Sequence, residues 1–358
     1  MNLSFIGLYN FRNYKSLKLN TGPKINIIYG KNASGKTNLL EAIYMTCKAY
    51  SFKNPRDNDL INFSKNEAYI LGTYENNCYK DNYRIEITRN NVKKYFINEQ
   101  KTNSKDFRQA RHIILFSPVD LNIIKNSPSD RRRFIDESLS NIDLSYDYYL
   151  SQYRKILMER NKLLKISKNM SLLEIYDREL SKIGSKIIIM RLIAIKELNK
   201  YANKHYQNLS KNDRLKTTYL STIPLSSNEE EIRENFYNFL KLNQYKDFQR
   251  KNTSIGPHRD DIDFKINDKS TKAFGSQGEQ RSVVLSLKLS EFDLIYKKFN
   301  DKSILLLDDV FSELDEKRTM YLLDSIKDTQ TFITTTEFKD YFKNLNISSY
   351  NIEDINKE

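Results

Sequence analysis

Residues 30–37 read Gly30-Lys31-Asn32-Ala33-Ser34-Gly35-Lys36-Thr37. This stretch decides the fold because it matches the phosphate-loop pattern G-x-x-x-x-G-K-[ST]. The apolar run 24–29 predicts a buried strand before the loop, and residues 37–44 predict a helix after it. Backbone N–H groups of such a loop close around phosphates, and the helix N-terminus adds partial positive charge. We expect all eight residues to bind a nucleotide, with Lys36 at the β- and γ-phosphates and Thr37 on Mg²⁺.

A second string, far along the chain, supplies carboxylates. Residues 303–307 are mostly apolar and lead into Asp308 and Asp309. A carboxylate at the carboxyl end of a parallel strand lies beside the phosphate loop in P-loop folds. We expect Asp308 to hold Mg²⁺ together with Thr37, and Asp309 to polarise the attacking water. A solvated pair of aspartates at a strand end is the alternative interpretation of this string alone.

A third string, Ser276-Gln277-Gly278-Glu279-Gln280-Arg281, resembles the signature loop of ABC-type ATPases. In those proteins the loop contacts the γ-phosphate that the other subunit holds, so ATP joins two heads. The resemblance therefore assigns Ser276, Gln277 and Gly278 to the nucleotide. A hydroxyl, backbone N–H groups and the start of the predicted helix 280–289 would form an anion site. Gly275 and Gln277 depart from the usual L-S-G-G-[QE] pattern, and a polar turn before a helix is the alternative.

The order of the three strings predicts the fold class. It is α/β, an ABC-type P-loop ATPase head with an inserted α-helical arm subdomain. Because Thr37 and Asp308 should share one Mg²⁺, the two ends of the chain must meet in space. We predict an N-terminal head part at 1–125, a helical arm at 126–252 and a C-terminal head part at 253–358, carrying the signature loop and carboxylate strand.

Periodicity supplies the coarse organisation between these strings. Apolar residues recur at helical spacing after residue 133 and again over 183–198, which predicts two antiparallel helices. With roughly 20 residues each, they would span only about 30 Å. Residues 217–222 predict a strand and 229–250 another amphipathic helix. Alternation over 72–99 predicts an antiparallel sheet flanking the parallel one.

With these residues assigned, the chain resembles the RecF family of bacterial recombination-repair ATPases over essentially its whole length. The resemblance begins with Leu8-Tyr9-Asn10-Phe11-Arg12-Asn13-Tyr14. It continues through residues 116–121 (FSPVDL), 127–136 (SPSDRRRFID), 159–165 (ERNKLLK) and 256–261 (GPHRDD). These strings are more specific than the phosphate loop, which many nucleotide-binding proteins share.

The resemblance implies a function. Members of the family resemble Rad50 and SMC heads, bind ATP and DNA, form an ATP-dependent homodimer and hydrolyse ATP slowly. They act at gapped or stalled-replication DNA with RecO and RecR to promote RecA loading. The resemblance also implies that Arg12 approaches the nucleotide phosphates. The chain departs from related ATPases in three places. Residues 116–118 contain no glutamine where Rad50-like heads have a glutamine loop, and residues 332–336 contain no histidine where ABC transporters have a switch histidine. Asp309 stands where many ABC-type heads have a glutamate. The shorter Asp309 predicts slow turnover.

Charge adds an independent observation. The formal net charge is +13, and residues 151–216 contain 16 Lys and Arg against 6 Asp and Glu. A basic face beside an ATPase head suggests double-stranded and gapped or single-stranded DNA as partners. Because the whole chain is lysine-rich, a solvated helix surface explains the same charge, and composition alone does not decide between the two.

Composition also limits the other function classes. Two cysteines and three histidines predict neither a disulfide framework nor a metal cluster. No apolar run reaches membrane length and no signal peptide is evident, so we expect a cytoplasmic, nucleoid-associated protein without a membrane partner. A carboxylate-rich nuclease domain has no room after Asp315, and a transporter ATPase is disfavoured by the basic arm. A DNA-binding scaffold with a mainly structural nucleotide remains the alternative to a weak, DNA-stimulated ATPase.

Two charged strings stay ambiguous from sequence. Arg131-Arg132-Arg133 suits DNA, but it also suits structural or inter-subunit salt bridges at a helix start. His258-Arg259-Asp260-Asp261 contains two carboxylates that suggest metal ligands, although we interpret it as a loop near the signature, at the dimer interface.

Overall fold

A computed structural model of the chain describes residues 2–76, 78–90, 92–109, 111–166, 170–210, 213–343 and 346–355. The strands, in chain order, are β1 Asn2–Phe11, β2 Tyr14–Asn20, β3 Ile25–Tyr29, β4 Glu67–Glu75, β5 Lys80–Thr88, β6 Val92–Ile97, β7 Gln100–Thr102, β8 Ile113–Phe116, β9 Leu215–Leu220, β10 Asp261–Ile266, β11 Lys269–Ser270, β12 Ile304–Asp308, β13 Thr331–Thr335 and β14 Ile347–Asn351.

The α-helices are α1 Lys36–Lys48, α2 Ser104–Gln109, α3 Pro128–Ile142, α4 Leu144–Ile166, α5 Met170–Leu209, α6 Glu229–Leu242, α7 Gln244–Arg250, α8 Thr271–Phe274, α9 Gln277–Phe299, α10 Glu316–Ile326 and α11 Ile352–Ile355. Short 3-10 turns cover Asp57–Leu60, Asp120–Asn122, Val310–Ser312 and Asp340–Phe342.

The chain packs as two compact units. Unit 1 combines Met1–Asp120 with Ile295–Glu358, and unit 2 is Leu121–Leu294. The first predicted boundary, 125/126, lies close to this division. The second, 252/253, does not follow it, because residues 253–294 pack with the helices that precede them. The signature string thus belongs to the same compact unit as the arm helices.

A parallel sheet organises unit 1. Its strand order is β14-β3-β13-β12-β8, and every neighbouring pair is parallel. Both β3 and β12 are buried along their first four residues, as expected for strands covered on two faces. Because parallel strands end at one edge, the segments after β3 and β12 emerge on the same side of the sheet. This confirms the predicted meeting of the two chain ends.

The predicted antiparallel sheet is confirmed in unit 1. Its order is β2-β1-β4-β5-β6-β7, a meander extended by β1 and β2. β4 alternates buried and more exposed residues along its whole length. One continuous core joins this sheet, α1 and the parallel sheet, with Ile6, Leu39, Ile43 and Leu306 all inaccessible to solvent. Burying each such side chain contributes about 1.5–3 kcal/mol, so α1 is fixed firmly between the sheets.

Unit 2 contains the predicted helical arm. Arg160 contacts Asp177, and Tyr146 contacts Arg191, so residues earlier in α4 face residues later in α5 and the helices are antiparallel. The length prediction was wrong for the second helix, because α5 runs for 40 residues where roughly 20 were predicted. At 1.5 Å per residue it is about 60 Å long. The extra turns pack against β9, which no periodicity rule reveals.

The remaining predictions in unit 2 need smaller adjustments. The predicted helix 229–250 is two helices, α6 and α7, which meet at Asn243. The predicted strand 217–222 is β9, two residues earlier, in the three-stranded sheet β11-β10-β9. No helix within the described ranges combines the length and apolar character needed to cross a membrane.

Buried charge explains one of the specific strings. Arg160 is fully buried on α4 and forms ion pairs with Asp177 at 2.6 Å and Asp247 at 2.8 Å. Its neighbour Asn161 accepts hydrogen bonds from the backbone and hydroxyl of Thr253. Removing one partner of such a buried pair costs about 3–5 kcal/mol, so these residues stabilise unit 2 itself.

Candidate nucleotide site

The phosphate loop lies between β3 and α1, as predicted. Gly30 and Gly35 have φ of 148° and 107°, values that favour glycine. A side chain on Gly35 would lie 2.5 Å from Asn13 Nδ2, so the loop must pass close to the β1–β2 turn. Lys31, Asn32 and Ala33 form the exposed outer part of the loop. The strand–loop–helix geometry is therefore that of a phosphate-binding loop.

Two features of the loop fit an anion. The N-terminus of α1 has no side-chain cap, and its first turn contains no acidic residue. The backbone N–H groups there are available to an external acceptor. Ser34 Oγ is buried and has no hydrogen-bond partner among the described residues. A phosphate oxygen would satisfy both kinds of donor, so the residues present fit the phosphates of ATP.

Lys36 lies at the first position of α1 and is largely buried. Its Nζ donates to the carbonyl oxygens of Gly30 at 2.6 Å and Lys31 at 2.7 Å. Burial lowers the pKa of Lys36, while the nearby charges of Asp309 and Asp308 act in the opposite direction. The ammonium group thus sits at the mouth of the loop, facing two carboxylates. This position suits a group that neutralises phosphate charge.

The predicted metal pair comes together in unit 1. Thr37 Oγ1 donates to Asp308 Oδ1 at 2.9 Å, although 271 positions separate the two residues. A hydroxyl and one carboxylate are oxygen ligands of the kind Mg²⁺ prefers, with substrate phosphates and water completing its shell. No cluster of three or more His, Cys, Asp or Glu forms in the part of the chain that the structure describes. Thr37 and Asp308 would hold Mg²⁺, which stabilises phosphate charge when bound.

Asp309 follows Asp308 in a left-handed conformation, with φ of 52°. Such a conformation costs a non-glycine residue of the order of 1 kcal/mol. Burial, and then the adjacent Asp308 charge, raise the pKa of Asp309. That Asp309 polarises the attacking water stays a prediction.

Thr334 is a site residue to which the sequence analysis gave no role. It lies on β13, directly between β3 and β12. Its hydroxyl donates to Asp308 Oδ1 at 2.8 Å and accepts the backbone N–H of Asp309 at 2.9 Å. Thr334 therefore orients both aspartates. The three threonines in the short buried strand 331–335 were the signal that could have identified it.

Arg12 occupies the two-residue turn between β1 and β2. Asn13 Nδ2 donates to Ser34 O at 3.3 Å, and Tyr14 Oη donates to Gly35 O at 2.8 Å, so the turn lies against the phosphate loop. The Arg12 side chain forms a two-pronged contact with Glu41, at 2.9 and 2.7 Å. The turn that carries Arg12 is therefore beside the loop, and the approach of Arg12 to the nucleotide phosphates stays a prediction. Glu41, its partner, was missed by the sequence analysis.

The signature string begins α9 in unit 2. The backbone N–H of Ser276 donates to Glu279 Oε2 at 2.7 Å, and the N–H of Glu279 donates to Ser276 Oγ at 3.2 Å. This reciprocal pair is a capping box. Gln277 and Gly278 form the first turn, and the predicted helix is longer than residues 280–289, running to Phe299. Ser276 retains a hydroxyl proton that it can donate to an anion.

Three residues of the two ambiguous charged strings have partners within unit 2. Arg131 is buried and pairs with Asp261 through two hydrogen bonds, at 2.7 and 2.9 Å. Asp260 accepts hydrogen bonds from Tyr219 and from Thr222. The carboxylates of Asp260 and Asp261 are thus occupied by protein donors, which argues against their use as metal ligands.

The model of the RecF/RecN/SMC N terminal domain family matches residues 2–352. The DNA replication and repair protein RecF of Oenococcus oeni is 40% identical over 357 residues, covering 96% of this chain and 95% of the relative. A solved structure of the recombination mediator protein RecF-ATPrS, in the RecFOR pathway, superposes with a TM-score of 0.89 at 35% identity. It covers 95% of this chain and 93% of that one.

A more distant structure supports the fold alone. The Smc head bound to the C-winged helix domain of ScpA has a TM-score of 0.55 at 16% identity, over 94% of this chain and 90% of that one. Together with the family match, it confirms the predicted class, an ABC-type ATPase head of the SMC kind with an inserted helical segment.

Proposed function

The chain belongs to the RecF family, and on this premise we propose that it is an ATP-dependent DNA-binding protein of recombinational repair. The observation that carries the proposal is the contact of Thr37 with Asp308, at 2.9 Å, beside an uncapped phosphate-loop helix. These groups would hold Mg²⁺ and the phosphates of ATP, with Lys36 and Arg12 supplying positive charge. A relative of known structure is described with ATP, which supports the assignment of the nucleotide.

ATP would act as a switch between monomer and homodimer. We propose that ATP held by Lys36 of one protomer accepts hydrogen bonds from Ser276 of the partner subunit. ATP would then favour the head-to-head dimer because it binds that state better than the monomer. Asp309 would polarise the attacking water, and slow hydrolysis would release the dimer. Support comes from the Ser276 hydroxyl at a helix N-terminus and the conformation of Asp309.

The DNA part of the proposal rests on the arm and on the family. Residues 151–216, which carry the charge excess, fall almost entirely on α4 and α5. Lysines on these helices would neutralise DNA phosphates near a double-strand to single-strand junction. We propose that the protein acts at gapped or stalled-replication DNA with RecO and RecR to promote RecA loading, at the nucleoid in the cytoplasm. Relatives are described as RecF proteins of DNA replication, repair and the RecFOR pathway.

Light scattering of the full chain tests the switch. Mass is measured with ATP, with ADP and without nucleotide, each with and without a gapped duplex. We expect a mass corresponding to two chains only with ATP, and at lower protein concentration when DNA is present. Lys36→Ala is the negative control. A monomer in every condition would refute the dimer switch.

The alternative function, a DNA-binding scaffold with a structural nucleotide, predicts a different result. Its affinity for DNA would be the same with ATP and with ADP, because the γ-phosphate would not change the binding surface. Fluorescence anisotropy of a labelled gapped duplex, titrated in both nucleotides at one salt concentration, separates the two functions.

A further inference from the structure

Glu41 is a buried charge that the proposed mechanism does not yet use. It lies on α1 between Leu40 and Ala42, and no part of its side chain reaches solvent. Taking an ionised carboxylate out of water costs several kcal/mol unless charged and hydrogen-bonding partners compensate. A hydrophobic residue would fill the same position without that cost. The reason for a carboxylate at this position must therefore lie in the groups that it binds.

Its partners come from two other segments. Glu41 accepts Arg12 Nε at 2.9 Å on Oε2 and Arg12 Nη2 at 2.7 Å on Oε1. Ser51 donates its hydroxyl to the same carboxylate, and Lys53 Nζ lies 3.7 Å from Oε2. Two cations thus share one anion. The cluster keeps one surplus positive charge at the edge of the phosphate loop.

The contact leaves two N–H donors of Arg12 available. A guanidinium has five N–H donors in a rigid plane. Glu41 takes the Nε edge, and Nη1 donates to the carbonyl oxygen of Asp59 at 2.8 Å. Three donors are thereby engaged with described residues, and two remain. One N–H remains on each of Nη1 and Nη2, and with 17% of its side chain exposed Arg12 can present these donors to a ligand such as a phosphate.

A chain of hydrogen bonds ties this cluster to the loop. Lys53 Nζ donates to Asn38 Oδ1 at 2.9 Å, and Asn38 Nδ2 donates to Asn13 Oδ1 at 2.8 Å. Asn13 in turn donates to Ser34 O. The Arg12 guanidinium is thus fixed relative to the phosphate loop through side chains of α1. Displacing it would break several bonds at once.

The backbone of Arg12 is itself strained. Its φ is 53°, in the left-handed region that favours glycine. Such strain persists where the surroundings over-determine a conformation, and it is found preferentially at functional sites. Here the backbone N–H of Arg12 donates to Leu60 O, and Glu41 holds the side chain. The strained turn thus holds the Arg12 side chain in one orientation.

We propose that Glu41 is a positioning residue, which orients the Arg12 guanidinium so that its remaining N–H donors bind the nucleotide phosphates. This inference rests on the proposed binding of ATP at the loop. It adds that the contribution of Arg12 to nucleotide affinity depends on Glu41. Glu41 itself touches neither nucleotide nor metal.

A double-mutant cycle tests the dependence. The affinity for ATPγS with Mg²⁺ is measured by calorimetry for the wild type, Glu41→Gln, Arg12→Ala and the double variant. We expect Glu41→Gln and Arg12→Ala each to weaken binding about tenfold, the effect of losing charge-assisted hydrogen bonds. In the Arg12→Ala background, Glu41→Gln should have less than about a twofold further effect. A purely structural Glu41 would instead weaken binding equally in both backgrounds, and that result would overturn the proposal.

Controls separate this inference from the proposed function. Glu86→Gln removes a carboxylate from another Arg–Glu pair of unit 1, formed by Arg84 at 2.7 Å, and should leave affinity unchanged. If Lys36→Ala binds ATPγS as tightly as the wild type, the proposed function fails, whatever Glu41 does. If only Glu41→Gln is without effect, the inference alone fails.

A second variant is informative even if Glu41→Gln folds poorly. Arg12→Lys keeps the charge but replaces the planar fork with a single ammonium group. It cannot engage Glu41 and phosphate with separate edges, so we expect an affinity close to that of Arg12→Ala. Wild-type affinity for Arg12→Lys would show that orientation by Glu41 is not needed, and would overturn the proposal. Thermal melting of each variant confirms that it is folded.

Discussion

Two helices of this protein begin at segments expected to bind phosphate, and their N-termini are built in opposite ways. In unit 1, α1 has no side-chain cap and no acidic residue in its first turn. In unit 2, α9 is capped reciprocally by Ser276 and Glu279. The uncapped helix offers its backbone donors directly to an anion. In the capped helix the N–H groups of Ser276 and Glu279 are engaged, and the carboxylate of Glu279 lies at the N-terminus.

The difference teaches what each segment can do alone. An open N-terminus beside Lys36, Thr37 and Asp308 has the donors for tight, independent nucleotide binding. A self-capped N-terminus has weak intrinsic affinity for phosphate, because an anion must compete with Glu279. We therefore expect α9 to engage nucleotide only when another subunit presents it. The asymmetry suits a switch in which binding precedes dimerisation.

The largest effect is expected at Asp309. Asp309→Ala should lower the hydrolysis rate by about 10²- to 10⁴-fold, the usual contribution of a general base. ATP binding and the ATP-dependent dimer should persist, since the phosphate contacts remain. Single-turnover hydrolysis and light scattering measure the two properties. Asp324→Ala, an exposed carboxylate on α10, is the matched control, and normal turnover of Asp309→Ala would reassign the base.

The open helix is tested next through Lys36. Lys36→Ala should weaken ATPγS binding by about 100-fold, because a largely buried charge facing the phosphates is lost. The dimer should disappear with it. Calorimetry measures the affinity, and Lys18→Ala, an exposed lysine on β2 outside the loop, controls for loss of positive charge. Dimerisation of Lys36→Ala with ATP would break the proposed order of binding and association.

The capped helix is tested by Ser276→Asp. Aspartate is as good an N-cap as serine, so the helix should remain, while its negative charge should repel the γ-phosphate across the dimer. We expect the ATP-dependent dimer to weaken by at least about tenfold, a loss of about 1.4 kcal/mol. ATPγS binding to the monomer should stay at the wild-type level. Sedimentation with and without nucleotide measures both. A normal dimer would remove α9 from the mechanism.

The arm extends the comparison to DNA. The double variant K182E/K200E reverses two exposed charges on α5, and should weaken binding of a gapped duplex about tenfold and flatten its salt dependence. Lys186 is left unchanged because it pairs with Glu229 at 3.1 Å. The double variant K15E/K18E reverses two exposed charges on β2 in unit 1 and serves as the control. If the control weakens binding more, the DNA surface belongs to unit 1.

The smallest effect is expected for Glu279→Gln, which tests how the cap of α9 influences nucleotide binding. Glu279→Gln keeps the side-chain length and can still accept the N–H of Ser276, but it removes the competing charge. The ATP concentration that half-saturates dimer formation should fall by about two- to fivefold, the size of a surface helix-dipole interaction. Light scattering across an ATP titration measures it. An increase in that concentration would show that Glu279 supports the contact and does not compete with it.

The sequence predicted correctly those secondary-structure elements that depend only on neighbouring residues. The loop at residues 30–37, the buried strand before it and the alternation over 72–99 each follow from adjacent residues, and the structure confirms them. The length of α5 was missed, because its later turns are stabilised by packing against β9. The roles of Thr334 and Glu41 were also missed. Glu41 lies in an apolar stretch and Thr334 follows two apolar residues, and the partner of each lies on another segment.

The sequence by itself determined the class of site in this protein: a phosphate loop, a carboxylate strand and a signature segment in fixed order. It also showed that residues 151–216 carry most of the excess positive charge. Only the tertiary structure showed that Thr37 hydrogen-bonds to Asp308, that Glu41 pairs with Arg12, and that Arg131 pairs with Asp261. The physical reason is that periodicity and capping act over a few residues. Pairing of polar groups that are distant in the sequence depends on which segments the fold brings together. For Thr37 and Asp308, those segments lie where β3 and β12 end at the same edge of the sheet.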